Sequence, residues 1–193
     1  MARAKVLQTN FTAGELSPKL MGRVDIARYQ NGAKKVRDSL PQVYGGLRRR
    51  DGTLFTKEVK TSAKRTRLIP FIFNENTAYM LEFGDLYMRI YVDEAILSPG
   101  APAAYNGATA YTPGSLVSSG GVNYYCIANT TGNAPPNVTY WYPMPAGILE
   151  IPTPYTEAML TAIDYTQGAD TMFVFYETLA IRRLRRLGAT NWV

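Results

Sequence analysis

The pattern of apolar and polar positions changes twice along the chain. In the first part, apolar residues recur at spacings of 3, 4, 3 and 4, the helical period, at Ile26, Tyr29, Ala33, Val36 and Leu40. This spacing predicts an amphipathic helix that ends at Pro41, which cannot continue a helix. Gly32 lies inside it and lowers helix propensity by about 1 kcal/mol relative to alanine, so the helix must rely on packing.

After Pro41 the pattern changes to β-rich runs, namely "QVYGGLRRR", "GTLFTKEV", "TRLIPFIFN", "TAYMLEFG" and "LYMRIYV". Turn-forming residues separate them, including Asp51-Gly52 and Gly84-Asp85. We therefore predict four or five antiparallel strands in a meander, with Asp51-Gly52 turning a hairpin. In the last run, the residues on one predicted face are Leu86, Met88 and Ile90, and those on the other are Tyr87, Arg89 and Tyr91.

The second change is a stretch without charge. No charged residue lies between Glu94 and Glu150, and the segment is rich in Gly, Pro, Asn, Ser, Thr and Tyr, which favour turns and short strands. We predict that residues 97–148 form an inserted β-module. The segments on either side of it, residues 1–96 and 149–193, are predicted to belong to one domain. In that return, Pro154 begins a short helical stretch through Ile163, and "TMFVFYE" and "IRRLRRLG" are predicted strands.

Together these patterns predict a mainly β fold with one or two short helices (α+β). Its centre is an antiparallel meander or propeller-like segment that carries the small inserted module. The chain has no run of eighteen apolar residues, so no membrane insertion is expected.

The composition limits the chemistry. The chain has one cysteine, Cys126, and no histidine, which excludes an internal disulfide and removes the commonest general base and metal ligand. The acidic residues form no recognisable site, and Glu150, Glu157 and Asp164 are spaced like a helix face at least as much as a glycosidase pair. We expect no enzyme activity and no cofactor.

The charge is divided into three regions. Residues 1–67 hold 16 Lys/Arg and 5 Asp/Glu, residues 68–180 hold 1 and 10, and residues 181–193 hold 4 and none. This division indicates a basic surface that meets nucleic acid or an acidic neighbouring subunit, with a solvated basic face as the alternative. The candidate interface or DNA-facing residues are Arg48, Arg49, Arg50, Arg182, Arg183, Arg185 and Arg186.

Several segments, taken in order, carry a resemblance to a known family. They are "TNFTAGELSP", "RVDIARYQNGAKKVRDSLPQVYGGLRRRDGTLF", "RLIPFIFNENTAYMLEFGDLYMRIY" and, after the insert, "IPTPYTEAMLTAIDYTQGADTMFVFY" with "RRLRRLGATNW". The set resembles the N-terminal part of the tail nozzle proteins, or tail tubular proteins B, of short-tailed bacteriophages. Gly45, Gly46, Arg49, Arg50 and Gly52 match the family's glycine–arginine segment, whereas Asp51 stands where proline is usual.

The resemblance implies a structural virion protein that forms a ring, hexameric in this family, around the tail tube through which DNA is ejected. Its partners would be further copies of itself, the adaptor or portal-proximal ring, tail fibres and the DNA in the lumen. It would be assembled in the bacterial cytoplasm and end in the phage tail. Family members are longer than 193 residues, so the chain corresponds to the N-terminal part of a longer protein or to a short relative.

The insert resembles, more weakly, the small carbohydrate-binding modules of chitinases. The matching residues include Tyr111, Val117, Gly120, Tyr124 and Trp141. Aromatic rings stack on sugar faces, so Tyr111, Tyr124, Trp141 and Tyr142 are candidate residues for binding a glycan or a partner protein. The alternative is that Tyr124 and Trp141 form the core of a very small module.

The leading hypothesis is therefore a structural tail component. The alternatives are a glycan-binding adhesion module of the tail, which would bind a host surface glycan, and a nucleic-acid-binding protein. Against the last, the basic residues are spread over several predicted elements and match no helix-turn-helix, zinc or RNA-recognition pattern.

Overall fold

The computed structural model describes residues 8–193 and divides the chain into two compact units, Met1–Phe55 and Thr56–Val193. The fold is mainly β with antiparallel sheets, as predicted, and the helical structure of the described residues is limited to three short 3-10 segments. The boundary at 55/56 differs from the predicted boundary at 96/97. The predicted meander belongs to the same unit as residues 149–193.

The first unit is built from two small pairs of strands. β1 (Gly14–Glu15) pairs in parallel with β2 (Gly32–Ala33), and β3 (Ser39–Pro41) pairs antiparallel with β4 (Leu47–Arg49). Two 3-10 helices, Pro18–Leu20 and Ala27–Asn31, lie between β1 and β2.

The predicted helix over residues 26–40 is wrong. Helical structure stops at Asn31, because Gly32 enters β2 with its backbone against Leu16, where an added Cβ would overlap the leucine side chain. Asp38 adopts a left-handed backbone with φ of 48°. The apolar residues at helical spacing do not pack against a core, and Leu40 is exposed.

The predicted hairpin turn at Asp51-Gly52 is also wrong. The turn lies earlier, between β3 and β4, where Gln42 N donates to Gly46 O at 2.8 Å and Gly45 N donates to Gln42 O at 3.0 Å. Gly45 has a φ of 101°, which favours glycine. Residues 50–66 contain no strand, so "GTLFTKEV" does not join a sheet.

The second unit begins with the meander, and here the predicted strands are confirmed. β5 (Arg67–Ile72), β6 (Ala78–Gly84) and β7 (Tyr87–Val92) are consecutive antiparallel neighbours, and β8 (Ala95–Ile96) extends the edge beside β7. Alternate residues on one face enter the main core, as expected of a half-buried sheet. They are Ile69, Phe71, Leu81, Phe83, Met88 and Ile90. Leu86, predicted to share that face, lies in the turn and is exposed.

The insert forms five short strands and a core of its own. Its strands are β9 (Ala110–Tyr111), β10 (Leu116–Ser119), β11 (Val122–Cys126), β12 (Thr130–Thr131) and β13 (Trp141–Pro143). They pair as β10–β11–β13 and β9–β12. Tyr125 and Met144 reach instead into the main core, so the insert is packed onto the rest of its unit.

After the insert the chain returns to the meander. β14 (Glu150–Pro152) pairs antiparallel with β7, and just before it Leu149 N donates to Leu97 O at 2.8 Å. The 3-10 helix Glu157–Ala162 follows, and then the antiparallel strands β15 (Asp164–Gly168), β16 (Thr171–Tyr176) and β17 (Leu179–Arg185). The predicted short helix and both predicted strands are confirmed. Trp192 closes the core edge-to-face against Phe71 and Tyr79.

Candidate functional site

Three consecutive arginines, Arg48 and Arg49 at the end of β4 and Arg50 directly after it, are exposed but differ in their contacts. Arg48 is paired with Asp51 at 2.8 Å, and Arg50 lies 3.8 Å from Asp38. Arg49 has no carboxylate within 4.0 Å among residues 8–193. Because side chains alternate along a strand, Arg48 and Arg50 share one face and Arg49 takes the other. Arg49 is therefore the arginine of this triplet whose guanidinium is not paired with a carboxylate among the described residues.

The first unit also exposes eight large apolar side chains among residues 8–55. Among residues 8–55, the buried positions are Leu16, Gly32 and Gly45, so leucine is the one large apolar side chain inside. In contrast, Tyr44 at the hairpin turn is 97% exposed. Exposed apolar side chains of this kind can be covered by a partner surface. The other exposed apolar residues of this unit are Met21, Val24, Leu40, Val43, Leu47, Leu54 and Phe55.

The basic strand β17 separates its arginines. Arg182 is opposite Val174 and Arg183 opposite Phe173, and both arginines are exposed. Arg185 is half-buried opposite Thr171. Arg186 follows the strand and is held inside the unit, where its guanidinium lies 3.9 Å from the Phe73 ring centroid and Nε donates to the Tyr79 hydroxyl.

Arg186 therefore differs from its neighbours. Its side chain is 15% exposed, and it also lies 3.8 Å from Asp170. These contacts account for Arg186 as a residue that stabilises the fold, whereas Arg182 and Arg183 are exposed and have no carboxylate within 4.0 Å among the described residues.

The prediction that aromatic residues of the insert bind a glycan requires correction. Trp141 is 1% exposed and Tyr124 is 8% exposed, and both belong to the core of the insert. The Trp141 Nε1–H donates to Asn133 O at 2.8 Å, and the Tyr111 ring packs edge-on against the indole. Buried rings offer no free face to a sugar, because the small module uses them to fill its own interior. Tyr111 and Tyr142 are half-buried.

The second unit contains a buried charged network that sequence reasoning missed. Glu150 on β14 is 0% exposed, and it lies directly opposite Arg89 on β7. Arg89 Nε donates to Glu150 Oε2 at 2.9 Å, and Lys60 Nζ and the Tyr142 hydroxyl both donate to Glu150 Oε1 at 2.6 Å. Every oxygen of the buried carboxylate is thus satisfied.

A second carboxylate belongs to Glu82 on β6. In the sheet register, Glu82 is directly opposite Arg89 on the neighbouring strand that is not β14. It accepts hydrogen bonds from the hydroxyls of Tyr87 and Tyr91. The Tyr87 ring has the cations of Lys60 and Arg89 within 5.2 and 5.1 Å of its centroid. Gly84 leaves the space that this ring fills, since an added Cβ would overlap it.

The network shifts the acid–base behaviour of its members. Burial acts to raise the pKa of Glu150, but the hydrogen bonds from Lys60, Tyr142 and Arg89 outweigh it and leave that pKa below 4.5. Burial likewise acts to lower the pKa of Lys60, and its bonds to Glu150 and Tyr142 raise it overall. Both groups are therefore held in their charged forms at neutral pH.

Both carboxylates, Glu82 and Glu150, are buried and hydrogen-bonded to neighbouring side chains. Glu150 is sealed from solvent, and the described residues contain no group of three or more His, Cys, Asp or Glu placed to hold a metal ion. Within residues 8–193, no helix has both the length and the apolar character to cross a bilayer. Among the described residues, exposed arginines and exposed apolar side chains are available for contact with a partner.

No protein-family model and no curated protein matches the chain.

Proposed function

We propose that this protein is a structural subunit of a short-tailed phage tail, of the nozzle type, that associates with copies of itself and with neighbouring tail proteins. The observation that carries the proposal is the small core of the first unit, where Leu16 is the one buried large apolar side chain among residues 8–55. A segment with so small a core gains stability when partner surfaces cover its exposed apolar residues. Exposed apolar residues that partner surfaces cover are expected of a subunit of a larger assembly.

The arrangement of the second unit supports the same proposal. Two of the segments that carry the resemblance, residues 67–91 and 151–176, pair through β7 and β14 and share one core. The uncharged insert leaves and rejoins the sheet between them. Within the second unit, the segments that carry the resemblance are therefore parts of one structural body.

The exposed arginines fit a surface that meets carboxylates of a neighbouring subunit or DNA phosphates. Arg49, Arg182 and Arg183 have no carboxylate within 4.0 Å among the described residues. Free guanidinium groups bind carboxylate and phosphate with two parallel hydrogen bonds. The glycan-binding alternative is weaker, since Trp141 and Tyr124 are internal.

Proteomics of density-purified phage particles from the source culture tests the proposal. We expect the protein in the particles at a fixed ratio to other tail proteins, and a closed oligomer of the recombinant chain in native mass spectrometry. Absence from particles, together with a monomer at all concentrations and salt strengths, would contradict it.

A further inference from the structure

A pocket in the second unit is not explained by an assembly role. It has a volume of about 360 Å³, near the lower end of the range of about 300–1,000 Å³ for ligand sites. Its walls come from the meander, the insert, β14 and the segment after it, and strands β16 and β17. The apolar lining includes Phe83, Met88, Tyr125, Ile127, Ile151 and Val174.

Two polar groups in this apolar lining lack partners. The hydroxyls of Tyr155 and Thr153 are both buried, and neither has a hydrogen-bond partner among the described residues. Tyr155 as a whole is 2% exposed. A buried hydroxyl without a partner is costly in native folds, and these two belong to residues of one pocket, so a ligand bound there can supply the missing partner.

A cation lies at the same pocket. Arg182 is opposite Val174, and directly opposed residues of an antiparallel pair share a face, so its side chain leaves β17 on the face of a pocket residue. Burial raises the pKa of Tyr155, while the positive charge of Arg182 acts to lower it. The Arg182 guanidinium is therefore near enough to the Tyr155 hydroxyl to interact with it electrostatically. Arg182 has no carboxylate within 4.0 Å among residues 8–193.

We propose that this pocket binds a partner peptide in which a large apolar side chain stands beside an aspartate or glutamate. The apolar side chain fills the interior, and the carboxylate accepts hydrogen bonds from Arg182, Tyr155 and Thr153. The pocket has room for one large side chain, and its rim arginines Arg182 and Arg183 are exposed, so the rest of the peptide continues outside. Charge complementarity selects an acidic peptide.

Ligand-observed saturation-transfer NMR on the full chain tests the proposal. The probe is acetyl-Gly-Asp-Phe-Gly-amide, and the matched peptides replace Asp by Asn or Phe by Ala. We expect binding of the Asp-Phe peptide, about tenfold weaker binding of the Asn-Phe peptide and no signal from the Asp-Ala peptide. Equal binding of the Asp and Asn peptides, or no binding of any peptide, would overturn the proposal.

Two variants separate binding from folding. Tyr155→Phe removes an unpartnered hydroxyl, so we expect unchanged or higher thermal stability together with about tenfold weaker peptide binding. Arg182→Glu should abolish binding, whereas Arg185→Glu, on the same strand but outside the pocket lining, should leave it unchanged. Wild-type affinity of Tyr155→Phe would overturn the role of the hydroxyl.

The free acid 3-phenylpropionate distinguishes a peptide site from a small-molecule site. It carries the same aromatic group and carboxylate without a peptide backbone. We expect it to compete more weakly than the Asp-Phe peptide. If it binds more tightly, with the same losses in Tyr155→Phe and Arg182→Glu, the pocket is a small-molecule site and the peptide proposal fails. None of these results depends on whether the chain is found in phage particles, so the two proposals can fail separately.

Discussion

Arg89 lies directly opposite Glu150 across strands β7 and β14, and its Nε donates to the carboxylate at 2.9 Å. The pair is buried, and it joins the strand that follows the insert to the meander that precedes it. The bond therefore stabilises the place where two distant parts of the sequence meet.

Removing the Glu150 charge should destabilise the second unit strongly. Glu150→Gln leaves the buried Arg89 guanidinium without the carboxylate that it is hydrogen-bonded to, which costs about 3–5 kcal/mol of unfolding free energy. Urea denaturation followed by circular dichroism measures the loss. Glu177→Gln, at an exposed position, is the control and should stay within about 0.5 kcal/mol of wild type. Equal effects of the two substitutions would contradict the role of the network.

The same carboxylate makes stability depend on pH in the acid range. The pKa of Glu150 is lower in the folded state than its ordinary value of 4.5, so its contribution is fully present above that value. It is lost as the pH falls through the folded-state pKa. We expect the denaturation midpoint of wild type to fall more steeply below pH 4.5 than that of Glu150→Gln, and parallel curves would exclude Glu150 as the cause.

Trp141 should behave as a core residue of the insert. Trp141→Ala should cost about 3–5 kcal/mol, because it leaves a cavity among Val117, Tyr124 and Cys126. Val138→Ala, at an exposed position of the same module, should cost little. Both tryptophans are buried, so wild-type emission should be blue-shifted and poorly quenched by acrylamide. Strong quenching of the native protein would contradict this packing.

Arg49 should contribute more to polyanion binding than Arg48. Arg48 is already paired with Asp51, whereas Arg49 has no carboxylate nearby among the described residues. Fluorescence anisotropy with duplex DNA over a salt series measures the difference. Arg49→Ala should reduce the slope of log affinity against log salt by about 1 if Arg49 contacts a phosphate. Identical slopes for Arg48→Ala and Arg49→Ala would show that the triplet acts as one patch.

Tyr44 should take part in association between subunits. It is 97% exposed at the turn between β3 and β4, so Tyr44→Ser should weaken self-association without lowering the thermal stability of the second unit. Mass photometry at several concentrations measures the oligomer. Val138→Ser, also an exposed apolar position, is the matched control. Unchanged assembly in Tyr44→Ser would place the contact elsewhere.

The sequence predicted the second unit better than the first. In β5 to β7 the residues that alternate along one face of the sheet are buried in the main core. The sequence period and the burial therefore both indicate strands. In residues 26–40 the helical period is present without a core, and Gly32 must pass close to Leu16. Local periodicity alone could not decide between helix and extended chain there.

The polar network and the pocket could not be predicted from the sequence. Lys60 and Glu150 are 90 positions apart, and each resembles an ordinary surface residue until β14 pairs with β7. One signal was present, because Arg89 is the one basic residue in the acidic region 68–180. Tyr155 and Arg182 likewise meet only through the packing of separate elements.

The hydrogen bond from Leu149 N to Leu97 O has a consequence for how such chains diversify. It holds the two ends of the insert side by side, so the length of polypeptide between them does not alter the spacing of the strands on either side. Sequences of other lengths can occupy this position if they supply substitutes for Tyr125 and Met144 in the main core. The edge of this sheet is thus a natural point for exchanging whole modules, by recombination or by protein engineering.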